Sequence, residues 1–245
     1  MTMDRSFLVA TAADLLRGIP LTLELTVLSV CTGAALAFLL ALMRVSNRLA
    51  LDLPARFYSF VFRGSPLLVQ IFIIYFGLSQ FQAVRHSFLW VFLRQPFWCA
   101  VLAMSLNTAA YGSEIIRGGL LSVPSGQIEA ARACGMSPLV LYRRVVLPQA
   151  LRQMLPAYSN EVILMLKDTS LGSVITLMEV TGVAAKLISA SYRSVEVFIC
   201  AGAIYLALNF LITRLFAAWE QFLAPGLPPA PGTPPALLQT ESPHA

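Results

Sequence analysis

Five long apolar stretches dominate the chain, and most charged side chains lie in the shorter stretches between them. Residues 26–43 carry no charge over 18 positions, and residues 65–84 carry none over 20 positions. A helix needs about 20 consecutive apolar residues to cross the hydrocarbon core of a bilayer. The pattern therefore predicts an all-α membrane protein with about five transmembrane helices. Their predicted bounds are residues 19–43, 57–84, 95–116, 152–174 and 195–220.

Two places depart from this simple pattern. Pro66 follows Arg63-Gly64-Ser65 inside the second predicted crossing, where it fits either the start of a helix or a local break. Residues 173–193 mix charged with apolar side chains. That mixture predicts a short amphipathic helix at the outer surface, and not a further crossing.

Residues 129–148 lie between the third and fourth predicted crossings and contain three arginines, so they cannot easily enter hydrocarbon. Gly135 can take the left-handed conformation that ends a helix. Ser137 can then cap a second helix, with Pro138 at its first position. Residues 147–148, Leu-Pro, mark a further helix start. The prediction is two short helices at an angle, joined by a glycine turn.

This stretch resembles the EAA loop of ATP-binding-cassette (ABC) importer permeases. The pattern is Glu-Ala-Ala, three residues, Gly, nine residues, an aliphatic residue, one further residue, and Leu-Pro. The residues that carry it are Glu129, Ala130, Ala131, Gly135, Val145, Leu147 and Pro148. Residues 63–67 and 155–165 are similar to type I importers for polar amino acids, most of all to the M-type permease subunit of histidine, arginine and octopine transporters. We call residues 129–148 the EAA segment.

The resemblance implies a membrane-spanning subunit that forms the translocation path for a polar, basic amino acid or an opine. In that family the EAA loop docks on a cytosolic ATPase dimer, which binds ATP and Mg²⁺, so no cofactor is expected in this chain. The other implied partners are a second permease subunit (a Q-type chain or a second copy), a periplasmic or extracellular substrate-binding protein, and membrane lipid. The expected coupling residues are Glu129, Ala130, Ala131, Gly135, Ser137, Pro138, Leu147 and Pro148.

Several polar residues lie inside the predicted crossings, where a carboxylate is costly unless it is paired or hydrated. Glu161 therefore has two interpretations. It lies on the translocation path and attracts a cationic ligand, or it forms a structural ion pair with Lys167 or with an arginine of a neighbouring helix. Glu114 is expected to pair with Arg117, three residues later. The candidate path residues are Asn107, Tyr111, Asn160, Glu161 and Lys167.

Composition and charge exclude several classes of protein and of functional site. With 58% hydrophobic and 12% charged residues, the chain is not an ordinary soluble domain. The net charge of +5 comes mainly from arginines beside the crossings, so no nucleic-acid partner is expected. Two histidines make a histidine-based metal site or catalytic site improbable. No Walker A motif occurs, so we expect ATP hydrolysis in a separate subunit and no catalytic residue in this chain.

The distribution of basic residues predicts the orientation. Residues 44–63, residues 117–152 and Arg214 hold ten arginines, against six basic residues in the other connections. This difference predicts a multi-pass protein with its N-terminus outside and its C-terminus in the cytoplasm, and the resemblance implies the bacterial cytoplasmic (inner) membrane. The predicted domains are an N-terminal periplasmic segment (1–18), a permease domain (19–222) and a disordered proline-rich cytoplasmic tail (223–245).

Two other functions remain open from the sequence. The chain could be a membrane scaffold or interaction protein that is not coupled to an ATPase. It could also be a membrane-embedded enzyme that acts through Glu114 or Glu161.

Overall fold

The computed structural model describes residues 5–46 and 48–223, and within them the chain is helical with no strand. The predicted all-α class is confirmed. The twelve α-helices are α1 (Arg5–Leu16), α2 (Ile19–Val45), α3 (Leu49–Gly64), α4 (Leu67–Phe72), α5 (Gln82–Arg85), α6 (Trp90–Leu93), α7 (Pro96–Leu121), α8 (Ser125–Ala133), α9 (Pro138–Leu141), α10 (Leu147–Asp168), α11 (Val180–Ser191) and α12 (Ser194–Leu223).

Two helical stretches of the described chain, Arg5–Val45 and Ser194–Phe222, are long and apolar enough to cross a membrane. The number rises to four if each of two bent helix pairs counts as one span. The predicted count of five is therefore not reached by length and apolarity alone. The predicted crossing that is not among these spans is α7, which is long enough, since its 26 residues extend about 39 Å.

The helix α7 carries several polar residues among its apolar ones, and it lies in the middle of the bundle. It packs against α2, α3, α4 and α10, and its buried residues include Ser105, Asn107, Thr108 and Ser113. A helix that is surrounded by protein can carry polar groups, since they meet neighbouring helices and not lipid. Leu25, Ile71, Cys99, Met104 and Met165 form part of the main apolar core around it.

The second predicted crossing is not one straight helix. The helical segment Leu67–Gln80 turns away from α3 by 103° at residues 65–66, and Pro66 is the N-cap residue of α4, so Pro66 lies both at a local break and at the start of a helix. We call this place the α3–α4 bend. Gln70 stabilises it, because its Nε2 donates to the carbonyl oxygens of Phe62 (2.8 Å) and Ser65 (3.1 Å) and to Ser65 Oγ (2.9 Å).

The predicted amphipathic helix corresponds to α11, which is shorter than residues 173–193. The chain first passes through a 3₁₀ turn, Thr169–Ile175, and a left-handed residue, Thr176 (φ 69°). Glu179 then caps α11, because its carboxylate accepts hydrogen bonds from the backbone N–H groups of Thr181 and Gly182. The helix α11 packs against α1 and α12.

The stretch Arg5–Val45 extends the predicted first crossing towards the N-terminus and includes α1. The division into domains and the placement of residues 1–18 in the periplasm stay predictions. The predicted disordered tail lies outside the described residues, apart from Leu223 at the end of α12.

Candidate functional site

The glycine turn of the EAA segment has the predicted conformation. Gly135 has φ +74°, and it follows the end of α8. The Met136 N–H donates to the carbonyl of Ala131 (3.2 Å), and the Gly135 N–H donates to the carbonyl of Arg132 (2.9 Å). These two bonds form a Schellman motif, in which a left-handed residue satisfies the last carbonyls of a helix. The left-handed stop expected at Gly135 is confirmed.

The second half of the segment differs from the prediction. Ser137 has the extended backbone of an N-cap residue and Pro138 begins α9, but the Ser137 side chain makes no capping hydrogen bond. The helix start expected at Leu147-Pro148 is confirmed, since α10 begins at Leu147 with Pro148 in its first turn, but α9 leads into it through a π-helical turn, Tyr142–Val146, without a break. Pro148 has no N–H for the bond to residue 144, and the wider turn accommodates that missing donor.

A small apolar cluster holds the two halves of the segment together. It contains Val123, Ala131, Leu141 and Val146, which are 3–7% exposed. Of the expected coupling residues, Ala131 therefore lies underneath the surface and supports its shape. The others are exposed on the single chain: Glu129, Ala130, Gly135, Ser137, Pro138, Leu147 and Pro148.

The outer face of the segment combines apolar and basic groups. Leu139 is 79% exposed and Tyr142 is 51% exposed. Arg132, Arg143 and Arg144 are exposed as well, and none of them has a carboxylate within 4.0 Å in the described part of the chain. Exposed apolar groups that are rimmed by polar ones are typical of a surface that binds another protein.

Two of the five candidate path residues lie at the α3–α4 bend. Asn107 Nδ2 donates to Gln70 Oε1 (3.2 Å), and the Tyr111 hydroxyl donates to the carbonyl of Arg63 (3.4 Å). The Arg63 guanidinium also lies over the Tyr111 ring, 5.2 Å from its centre. Asn107 and Tyr111 thus attach α7 to the bend, which gives both of them a structural role.

Glu161 lies inside the bundle, with 7% of its surface exposed. Within the described residues, no lysine or arginine nitrogen lies within 4.0 Å of its carboxylate. The ion pair that was one interpretation of Glu161 is therefore not formed in this structure. A carboxylate buried without a cation fits the other interpretation, a site for a cationic ligand.

Asn160 and Lys167 do not join this group. Both are exposed on the single chain, and Lys167 lines a separate cavity of about 370 Å³ with residues of α11 and α12, among them Thr181 and Tyr205. Lys167 follows Glu161 by six positions, which places the two side chains about 120° apart around a helix. The five candidate path residues thus occupy several places and do not form one cluster.

An ion-pair network lies at one end of α2, α3 and α7, and the sequence predicted only one of its pairs. Glu114 pairs with Arg117 at 2.9 Å, as expected. It also pairs with Arg44, 70 residues earlier, which no local spacing indicated. Asp52 pairs with Arg56 at 2.6 Å and approaches Arg44 at 3.5 Å. The spacing of four residues between Asp52 and Arg56 was the available signal for that pair.

Comparisons with known proteins support one assignment. A family model described as a binding-protein-dependent transport system inner membrane component matches residues 33–224. The octopine transport system permease protein of Rhizobium radiobacter is 68% identical over 225 residues, which cover 92% of each chain. The nopaline transport system permease protein of Agrobacterium fabrum is 48% identical over 240 residues, 97% of this chain and 100% of that protein.

One solved structure shares the fold at appreciable identity. It is a crystal structure of an amino acid ABC transporter with histidines, which is 36% identical and covers 91% of this chain and 100% of its own, with a TM-score of 0.79.

Proposed function

The chain belongs to the family of binding-protein-dependent transport system inner membrane components, and from that membership we propose that it is the membrane-spanning subunit of an ATP-driven importer for an opine or a basic amino acid. The observation that carries the proposal is the 68% identity with an octopine permease over 92% of both chains. A permease subunit is not itself catalytic, and a separate ATPase subunit binds ATP and Mg²⁺.

The EAA segment is the surface that docks on this ATPase. Its apolar centre, around Leu139 and Tyr142, suits a hydrophobic groove, and its exposed arginines suit an acidic rim. Because α9 continues into α10 without a break, a push on the segment would move α10, which carries Glu161, as one body.

Transport follows from two such subunits facing each other. A second permease subunit, either a related chain or another copy of this one, completes the path. ATP binding closes the ATPase dimer, draws the two EAA segments together and opens the path to the outside, where a substrate-binding protein delivers the ligand. To move the equilibrium from 1:99 to 99:1, ATP must favour the outward-open state by about 5.5 kcal/mol.

Glu161 is the group in the path that attracts the cationic part of the ligand. Its carboxylate is buried, and no cation within salt-bridge distance neutralises it in the described chain. A guanidinium or ammonium group would supply the missing charge. The EAA segment faces the cytoplasm, since the arginine distribution favours that orientation, with the N-terminus outside.

Copurification from native membranes tests the proposal. The tagged chain is extracted in mild detergent, and the proteins that accompany it are identified. A cytosolic ATPase together with a second small permease would support the heteromeric importer, and an ATPase alone would indicate a homodimer. If a well-folded chain brings no ATPase, the proposal fails and the scaffold function takes its place.

A further inference from the structure

Three arginines line a cavity of about 410 Å³ between α2, α3 and α7. Arg44 comes from α2, and Arg56 and Arg63 come from α3. Glu114, on α7, is the carboxylate among the lining residues. We call this space the basic cavity, because its lining carries more positive than negative charge.

The carboxylates at the basic cavity are already bound by arginines. Glu114 accepts hydrogen bonds from Arg44 and from Arg117. Asp52 pairs with Arg56 at 2.6 Å. Two carboxylates thus serve three guanidinium groups, which leaves one positive charge in excess before Arg63 is counted.

Arg63 adds a second positive charge to this excess. In the part of the chain that the structure describes, no carboxylate lies within 4.0 Å of its guanidinium, which lies over the Tyr111 ring, 5.2 Å from its centre. Stacking on a ring leaves the N–H edge of a guanidinium free for hydrogen bonds. That edge matches the oxygens of a phosphate or a carboxylate.

An exposed row of apolar side chains runs along α3 beside these arginines. Its members are at least 62% exposed and follow each other at intervals of four, four and three residues, so they share one face of the helix. They are Leu49, Leu53, Phe57 and Phe60. Phe60 also lines the basic cavity, so the cavity opens directly onto the apolar row.

The order of side chains around α3 suits an amphiphile. At about 100° per residue, Arg56 and Arg63 lie only about 20° apart, between the buried Ser59 on one side and Phe60 on the other. A molecule with an anionic head and an apolar tail can therefore bind the arginines and cover the apolar row at the same time.

We propose that the basic cavity binds the headgroup phosphate of an anionic phospholipid, whose acyl chains lie along the apolar row of α3. Basic pockets between transmembrane helices bind anionic lipid headgroups in this way. A zwitterionic phospholipid fits less well, because the excess guanidinium charge repels its cationic group. The inference requires a membrane protein, but neither the ligand nor the ATPase proposed above.

The symmetry of a dimer argues against a second copy of the chain as the occupant. In a two-fold interface the same patch of both subunits meets itself, so the excess arginines of one copy would face those of the other. The cavity also lies towards the C-terminal ends of α2 and α7, and α7 leads into α8 and the EAA segment. The proposed orientation places that end at the cytoplasmic leaflet.

The test measures phospholipid binding to the copurified complex by native mass spectrometry. The two probes are phosphatidylglycerol and phosphatidylcholine with the same acyl chains. The wild-type complex is expected to bind phosphatidylglycerol about tenfold more tightly. Arg63→Gln is expected to weaken phosphatidylglycerol binding about fivefold or more, because one arginine near an anionic lipid contributes about that factor, and to change phosphatidylcholine binding less than about twofold.

Two further variants separate the cavity from general surface charge. Arg63→Lys keeps the charge but not the paired donors, so an intermediate loss of phosphatidylglycerol affinity is expected. Arg48→Gln removes an exposed arginine at the start of α3 that does not line the cavity, and phosphatidylglycerol affinity should stay unchanged. If Arg63→Gln does not accumulate, the wild-type preference between the two lipids decides the matter.

Several results would overturn the inference. Equal affinity of the wild-type complex for both lipids would exclude a site for an anionic headgroup. Equal losses in Arg48→Gln and Arg63→Gln would mean diffuse attraction to the surface charge. Binding of inorganic phosphate as tightly as phosphatidylglycerol would mean a site for a free anion. If Arg63→Gln loses the second permease subunit while lipid binding is unchanged, the arginines contact a protein partner instead.

Discussion

Replacing Gly135 tests whether the left-handed turn of the EAA segment is needed for coupling. Gly135 has φ +74°, and a Cβ built there would meet no atom within 4 Å among the described residues, its two chain neighbours aside. A substitution therefore creates no clash within the chain, and its cost is conformational. An L-residue such as alanine pays about 1–2 kcal/mol to adopt this left-handed conformation.

The free-energy cost of the left-handed conformation determines how much affinity for the ATPase is lost. If the ATPase binds only the segment with the intact turn, docking must supply the conformational cost, and Gly135→Ala lowers the apparent affinity by about fivefold to thirtyfold. Gly135→Asn should lose less, because asparagine tolerates the left-handed region. Gly135→Asp should lose more than Gly135→Asn, because it places a negative charge on the surface proposed to dock on the ATPase.

The assay is the amount of ATPase that copurifies with each variant, together with ligand uptake, at equal abundance in the membrane. Gly126→Ala is the matched control, because Gly126 lies in α8 of the same surface, also meets nothing within 4 Å and has no positive φ. Wild-type recruitment by Gly135→Ala would refute the reasoning. Loss of the variant from the membrane would instead place the effect in folding.

Three further predictions concern the interior of the bundle. Glu161→Gln should reduce uptake of a cationic ligand by about tenfold or more and leave ATPase recruitment intact, because it removes the charge that attracts the ligand. Equal uptake by the wild-type chain and the variant would exclude Glu161 from the path. Glu179→Ala should lower the free energy of unfolding by about 3 kcal/mol, which would appear as a lower melting temperature in detergent. The reason is that the buried carboxylate accepts hydrogen bonds from Gly182 N (2.8 Å), Thr181 N (2.7 Å) and the Tyr205 hydroxyl (2.8 Å). A drop of the same size in Glu24→Ala, at an exposed position, would show that this loss is not specific to Glu179. Gly182→Ala should lower the free energy of unfolding by at least about 1–3 kcal/mol, because its Cβ would clash with the Leu177 carbonyl oxygen. Gly118→Ala is the control, because a Cβ at Gly118 meets open space. Equal melting temperatures for these two variants would contradict the close contact.

The sequence alone determined those features that depend on neighbours along the chain. Apolar length predicts helices and membrane residence, because each backbone must satisfy its own hydrogen bonds in lipid. Gly135 ends α8 because a residue without a Cβ adopts the left-handed conformation at little cost. Glu114 pairs with Arg117 because three residues bring two side chains to the same face of a helix.

Only the tertiary structure decided the features that depend on distant residues. The second crossing bends where Gln70 and Asn107 supply hydrogen bonds at residues 62–65. The polar residues of α7 are buried against neighbouring helices, which surround it. Arg44 meets Glu114 across 70 residues, and Glu161 lies buried without a cation within salt-bridge distance in the described chain. These contacts arise from packing between helices, and a single sequence does not specify which faces of its helices meet.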